Sequence, residues 1–139
     1  MVKEKYTLTD IAKVRKNYKI FDYLIYTRIS QYITLPLLYT KITPNQVTIL
    51  SLISAVISSI FFVQGNYVNV VFGVIFLQLA HIFDAVDGEL ARVKKMTSKF
   101  GGFFDGAINH VTYYLTIPAM AIGHFSTNKD PSVLIFAIF

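Results

Sequence analysis

Between Val47 and Val63 the chain carries no charged residue, and two further apolar runs follow, Val68 to Phe83 and Phe103 to Ile122. A helix needs about 20 apolar residues to cross a bilayer's hydrocarbon. The runs therefore predict spans over residues 46–64, 68–91 and 101–123. Thr43-Pro44-Asn45 reads as a helix start, with Thr as N-cap and Pro at the first helical position. Gly65-Asn66-Tyr67 reads as a tight turn, and Ser126-Thr127-Asn128-Lys129-Asp130-Pro131 as a polar loop. Residues 131–139 open a fourth apolar helix too short to span, so the chain is expected to be a fragment of a longer fold. Ahead of the spans, Ile20 to Tyr39 is apolar but interrupted by Asp22, Arg28, Gln31 and Pro36. Ile20, Leu24, Ile25 and Ile29 share one helical face, which predicts an amphipathic helix lying in the membrane interface rather than a further span. The expected fold is all-α, a polytopic transmembrane helix bundle, with an interfacial segment at 1–42 and the bundle at 43–139.

Composition agrees with this picture. The chain has 139 residues, 54% of them hydrophobic, and a mean hydropathy of +0.52, values at home in a multi-span membrane protein. There is no cysteine, which excludes disulfides and thiolate metal sites. A net charge of +5 raises the question of nucleic acid, but the basic residues flank apolar segments, as they do beside an anionic membrane surface. No nucleic-acid partner is expected. The polar, basic first twenty residues do not read as a secretory signal. Eight basic residues precede the first span: Lys3, Lys5, Lys13, Arg15, Lys16, Lys19, Arg28 and Lys41. Four follow the second: Arg92, Lys94, Lys95 and Lys99. The positive-inside rule then puts the N-terminus and the end of the second span on the cytoplasmic side of a multi-pass cell-membrane protein.

At that end of the second span the apolar pattern fails. Asp84, Asp87, Gly88 and Ala91 recur at helical spacing with Arg92 beside them, and Gly101, Asp105 and Asn109 make a second stripe on the next helix. Acids beside membrane spans are costly unless partnered. Two such stripes on neighbouring helices would bring three carboxylates together. Oxygen ligands without Cys or paired His suit Mg²⁺, Mn²⁺ or Ca²⁺ better than Zn²⁺. Magnesium is commonly shared with substrate phosphates, so a phosphorylated substrate is expected. Gly88 and Ala91 leave room for a flat group near the backbone, and Arg92 offers a bidentate fork for phosphate.

The run Asp84-x2-Asp87-Gly88-x2-Ala91-Arg92-x8-Gly101-x3-Asp105-x3-Asn109 resembles the signature of the CDP-alcohol phosphotransferases, D-x2-D-G-x2-A-R-x8-G-x3-D-x3-D. It departs only at the last position. Thr43-Pro44-Asn45-x-x-Thr48 and the basic N-terminal helix are also similar to that family, which usually has six spans. The resemblance implies transfer of a substituted phosphate from a CDP-linked donor to an alcohol, with release of CMP, in phospholipid or polar-lipid synthesis. Donors of the CDP-diacylglycerol, CDP-archaeol or CDP-inositol type and a free or phosphorylated alcohol are the implied partners, and a homodimer the implied assembly. It further implies two Mg²⁺ or Mn²⁺ ions on Asp84, Asp87 and Asp105. Gly88, Ala91 and Arg92 would receive the cytidine and its phosphate, and Asn45 and Thr48 would reach toward the donor phosphates unless they only cap the first span. The last position belongs to the family's general base. Asn109 cannot take a proton there at neutral pH, although its carbonyl oxygen could still ligate a metal. Transfer chemistry is therefore expected to be weak or absent.

Other residues have plainer expectations. His110 points about 100° away from Asn109 on a helix and is a poor substitute base. His81 reads as an interior histidine and His124 as an interfacial one. Glu89 is expected to face solvent. Lys94, Lys95 and Lys99 either bind an anionic acceptor or set topology near headgroups. Two rival functions remain. A non-catalytic CDP-lipid-binding relative would explain Asn109. A small ion transporter would explain acids near spans, but not Gly88, Ala91 and Arg92 at fixed offsets.

Overall fold

The structure, a computed structural model, describes residues 6–13 and 26–133. Those residues form five helices and no strand: α1 (Leu8–Lys13), α2 (Tyr26–Leu38), α3 (Pro44–Gln64), α4 (Tyr67–Val93) and α5 (Lys99–Asn128). The basic segment expected before α2 lies largely outside the described residues, as do Ile20, Leu24 and Ile25 of its apolar face and most of the fourth helix start. The three expected spans each sit inside a helix, which starts one or two residues earlier and ends zero to five residues later.

Local chemistry sets these ends. Pro44 occupies the first position of α3, and Gln46 Oε1 accepts a hydrogen bond from the Thr43 backbone N–H at 2.9 Å, one half of a capping box. Gly65 ends α3 with φ +71°, a left-handed conformation that favours glycine. Asn66 then caps α4, its Oδ1 accepting from the Asn69 N–H at 2.9 Å. α4 closes with Lys95 at φ 54° and a bond from Met96 N–H to Ala91 O at 2.8 Å, the six-to-one pattern of a Schellman ending. Three residues later Ser98 caps α5, its Oγ accepting from the Gly101 N–H at 2.9 Å. The connection between the two acid-bearing helices is thus short and specified at both ends.

Packing falls into two units, Met1–Ile49 with His81–Asp105, and Leu50–Ala80 with Gly106–Phe139. The first is built on Ile11, Leu38, Val47, Ile82, Val86 and Leu90. On its α2, Ile29 of the expected apolar face is 45% exposed, while Ser30 and Thr34 are fully buried. The reason is Glu89, which is only 1% exposed. Ser30 Oγ donates to its Oε1 at 2.9 Å and Thr34 Oγ1 to its Oε2 at 2.8 Å. The reading of Glu89 as solvent-facing is therefore corrected. Lys94 also makes a contact that neither reading of it named: its Nζ donates to Thr40 O at 2.9 Å and Ile42 O at 2.8 Å, tying the end of α4 to the α2–α3 connection.

The second unit is inverted relative to a water-soluble core. Its buried positions are mostly small, among them Ser51, Ser54, Ala55, Ser58, Gly73 and Gly123, while Ile53, Ile60, Phe72 and Ile75 face outward. Small residues at helix contacts and large apolar ones outside are how helices pack in lipid. Several buried hydroxyls meet backbone carbonyls, as Ser51 with Ala80 O at 2.9 Å and Ser58 with Gly73 O at 2.7 Å. Among the described residues α3 and α4 are long and apolar enough to cross a membrane.

Candidate metal and nucleotide site

The motif residues of α3 and α4 and those of α5 up to Asp105 meet in the first unit. Helical spacing puts Asp84 and Asp87 one turn apart on α4, and the capped 94–98 connection returns Asp105 to them from the second turn of α5. One carboxylate oxygen from each of Asp84, Asp87 and Asp105 lies within 4.8 Å of the other two. Asp105 is in hydrogen-bond contact with Asp84 and close to the positive charge of Arg92. Asp87 is buried, and Thr48 Oγ1 donates to its Oδ2 at 2.6 Å, a charge-assisted length.

Ionised together, three carboxylates this close would repel by roughly 3 to 4 kcal/mol per pair at an effective dielectric constant of 20. A hard divalent cation would relieve that repulsion, and ligand oxygens within 4.8 Å of one another are close enough to hold one. The donor set therefore fits such a cation.

Asp87 and Asp105 border a cavity of about 290 Å³, at the small end of ligand pockets of about 300 to 1,000 Å³. Asn45, Thr48, Gly88, Ala91 and Arg92 all line it, together with Asp87 and Asp105. The Arg92 guanidinium lies over Gly88: a Cβ added there would meet Nη1 at 3.2 Å and Nη2 at 3.4 Å. Gly101 is similarly confined, its missing Cβ lying 3.0 Å from Ser98 Oγ and 3.7 Å from Asn45 Oδ1. Asn109 sits partly buried one turn beyond Asp105 along α5. Thus Asn45 and Thr48 both line the cavity, but Thr48's observed partner is a carboxylate. His81 makes an edge-on ring contact with Tyr26, centroids 5.9 Å apart. His110 is exposed, and so is His124, whose ring lies 3.1 Å from Asn128 Nδ2.

The cavity also takes in Met96, Thr97 and Ser98 of the connection, which the motif does not mark. Ser30 and Thr34, which hold Glu89, were missed as well. Their signal was two hydroxyls at i, i+4 in an otherwise apolar stretch.

Comparison with known proteins agrees with the motif. Residues 41–139 match the CDP-alcohol phosphatidyltransferase family. The chain is 34% identical over 107 residues to a bifunctional IPC transferase and DIPP synthase of Thermococcus kodakarensis, covering 77% of this chain and 22% of that protein. A protein of the same name from Aquifex aeolicus is 32% identical over 111 residues, 80% of this chain and 24% of its own length. The archaetidylinositol phosphate synthase of Pyrococcus horikoshii is 37% identical over 82 residues, 59% of this chain and 42% of that protein. The chain thus spans well under half the length of these relatives.

Proposed function

Because the chain belongs to the CDP-alcohol phosphatidyltransferase family, we propose that it carries the donor site of a membrane enzyme that transfers a substituted phosphate from a CDP-linked donor to an alcohol. The observation that carries this reading is the convergence of Asp84, Asp87 and Asp105 beside the cavity that Gly88, Ala91 and Arg92 line. In the transfer the phosphorus–oxygen bond to CMP breaks and one to the acceptor oxygen forms, while the hydroxyl proton passes to a base.

Asp84, Asp87 and Asp105 would hold the divalent metal, Mg²⁺ or Mn²⁺ and in the resembling enzymes two ions. The metal supplies charge neutralisation for the donor's diphosphate. Thr48 holds Asp87 through its 2.6 Å hydrogen bond, which would keep one carboxylate oxygen aimed at such an ion. Arg92 presents a planar fork of donors to a phosphate. Gly88, without a side chain, lets both that guanidinium and the nucleotide come close to the α4 backbone. Asn45 borders the same cavity from α3 and would donate its amide to a phosphate oxygen.

Asn109 occupies the position of the family's proton acceptor, and an amide does not take that proton. It specifically favours a second reading, a CDP-lipid-binding relative that holds donor without turning it over. The name of one relative, archaetidylinositol phosphate synthase, directs the proposal toward polar lipids with an inositol phosphate headgroup. The distribution of Lys and Arg supports a multi-pass protein with its N-terminus and donor site facing the cytoplasm. A homodimer is the proposed assembly. The test is CMP release from CDP-diacylglycerol, CDP-archaeol and CDP-inositol against a panel of free and phosphorylated alcohols with Mg²⁺. CMP release with any pair establishes the transferase. Mg²⁺-dependent CDP binding without release establishes the second reading, and neither result refutes both.

A further inference from the structure

Glu89 stands out among the acids because it plays no part in the cavity. Ser30 and Thr34, one turn apart on α2 and fully buried, each give a hydroxyl proton to a different oxygen of its carboxylate, at 2.9 and 2.8 Å. Glu89 follows Asp87 by two residues, which places it about 200° around the α4 axis from it. Asp87 is held by Thr48 of α3 at 2.6 Å. At this level, then, directional bonds grip α4 from two sides. The apolar neighbours Val86 and Leu90 add contact area without specifying direction. A buried carboxylate is a costly way to join two helices that apolar side chains would also join. What it contributes is a defined orientation.

We propose that Glu89 is a positioning residue of the donor site: by holding Ser30 and Thr34 of α2, it sets the rotation of α4 about its axis and with it the aim of Asp84 and Asp87. This rests on the function proposed above. The leverage is large. A rotation of about 10° moves an atom about 5 Å from the helix axis by roughly 0.9 Å, and misplacement of about 1 Å at a reacting centre costs about 100-fold. The helix α2, which carries none of the motif, thereby becomes part of the machinery.

The test compares Glu89→Gln with the combined variant Ser30→Ala, Thr34→Ala, Glu89→Leu, each as the full chain in detergent. The combined variant exchanges the polar grip for an apolar contact, which leaves stability near that of the parent. The readouts are thermal unfolding and the Mg²⁺ concentration that half-saturates CDP binding by calorimetry. The expected result is an unchanged unfolding temperature in both. The combined variant should need about 10- to 100-fold more Mg²⁺, while Glu89→Gln, which keeps shape and hydrogen bonding, stays within about threefold. Parental Mg²⁺ dependence in the combined variant overturns the inference, as does an equal loss in Glu89→Gln. If the combined variant does not fold, Ser30→Ala decides: a raised Mg²⁺ requirement at parental stability supports the grip, and an unchanged one overturns it. Failure of the parent itself to bind CDP with Mg²⁺ refutes the proposed function instead, a distinguishable outcome.

Discussion

Replacing Thr48 by valine removes one hydroxyl and almost no volume, which isolates a single hydrogen bond in the donor site. Thr48 Oγ1 has one proton and two acceptors in reach, Asp87 Oδ2 at 2.6 Å and Pro44 O at 3.2 Å. The shorter contact to the charged group holds it. Losing a hydrogen bond to a charged acceptor costs about 1.5 to 3 kcal/mol, and 1.4 kcal/mol is a factor of ten in affinity, so the loss is about 12- to 140-fold. Partners of metal ligands elsewhere are worth about 10- to 100-fold, the same range. Calorimetric titration of CDP into Thr48→Val at fixed Mg²⁺ should show the dissociation constant raised by that factor, with Thr48→Ser close to the parent. Parental affinity in the valine variant, with an undisturbed fold, would refute the orientation of Asp87 by Thr48.

Asn109→Asp restores a proton acceptor and should raise CMP release by about 10²- to 10⁴-fold; no gain, with CDP still bound, shows that the missing base is not the obstacle. Gly123→Ala places a methyl against the Phe62 carbonyl and 3.2 Å from Gly65 Cα, backbone that cannot move aside. It should destabilise by about 1 to 3 kcal/mol, seen as a lower unfolding temperature. Gly106→Ala, with nothing within 4 Å of the added carbon, should not. Lys94→Gln loses the two hydrogen bonds to Thr40 O and Ile42 O and should cost about 1 to 3 kcal/mol of stability with the acceptor KM unchanged. A shifted acceptor KM at full stability would return Lys94 to the role of acceptor ligand.

The helices were legible because long uncharged runs leave few alternatives, and because Pro44, Gly65 and Asn66 punctuate them with residues whose backbone chemistry is specific. The acid cluster was legible for a different reason: spacing of three and four on two adjacent helices constrains where side chains can meet, and Asp84, Asp87 and Asp105 do meet. Glu89 shows where such reasoning stops. Its register correctly turns it away from Asp87, but only the packing of α2 decides that this direction is interior rather than water. Lys94 fails in the same way, since a lysine near a membrane surface reads as a headgroup contact until the carbonyls of residues 40 and 42 are seen beneath it. The bond from Thr48 to Asp87 went unforeseen because a hydroxyl in the first turn of a helix serves a cap, a phosphate or a carboxylate equally well. Each miss concerns a contact between distant parts of the chain, which local periodicity does not encode.

The decisive question is whether the three carboxylates hold an ion that touches a nucleotide's diphosphate. With Mn²⁺ as the ion, electron–nuclear double resonance on the protein with bound CDP reads the coupling between the metal and phosphorus directly. The expected spectrum shows ³¹P coupling of an inner-sphere phosphate, lost in Asp87→Asn and Asp105→Asn. Mn²⁺ with only water-like couplings in the presence of saturating CDP, or a phosphorus coupling indifferent to both substitutions, would contradict it.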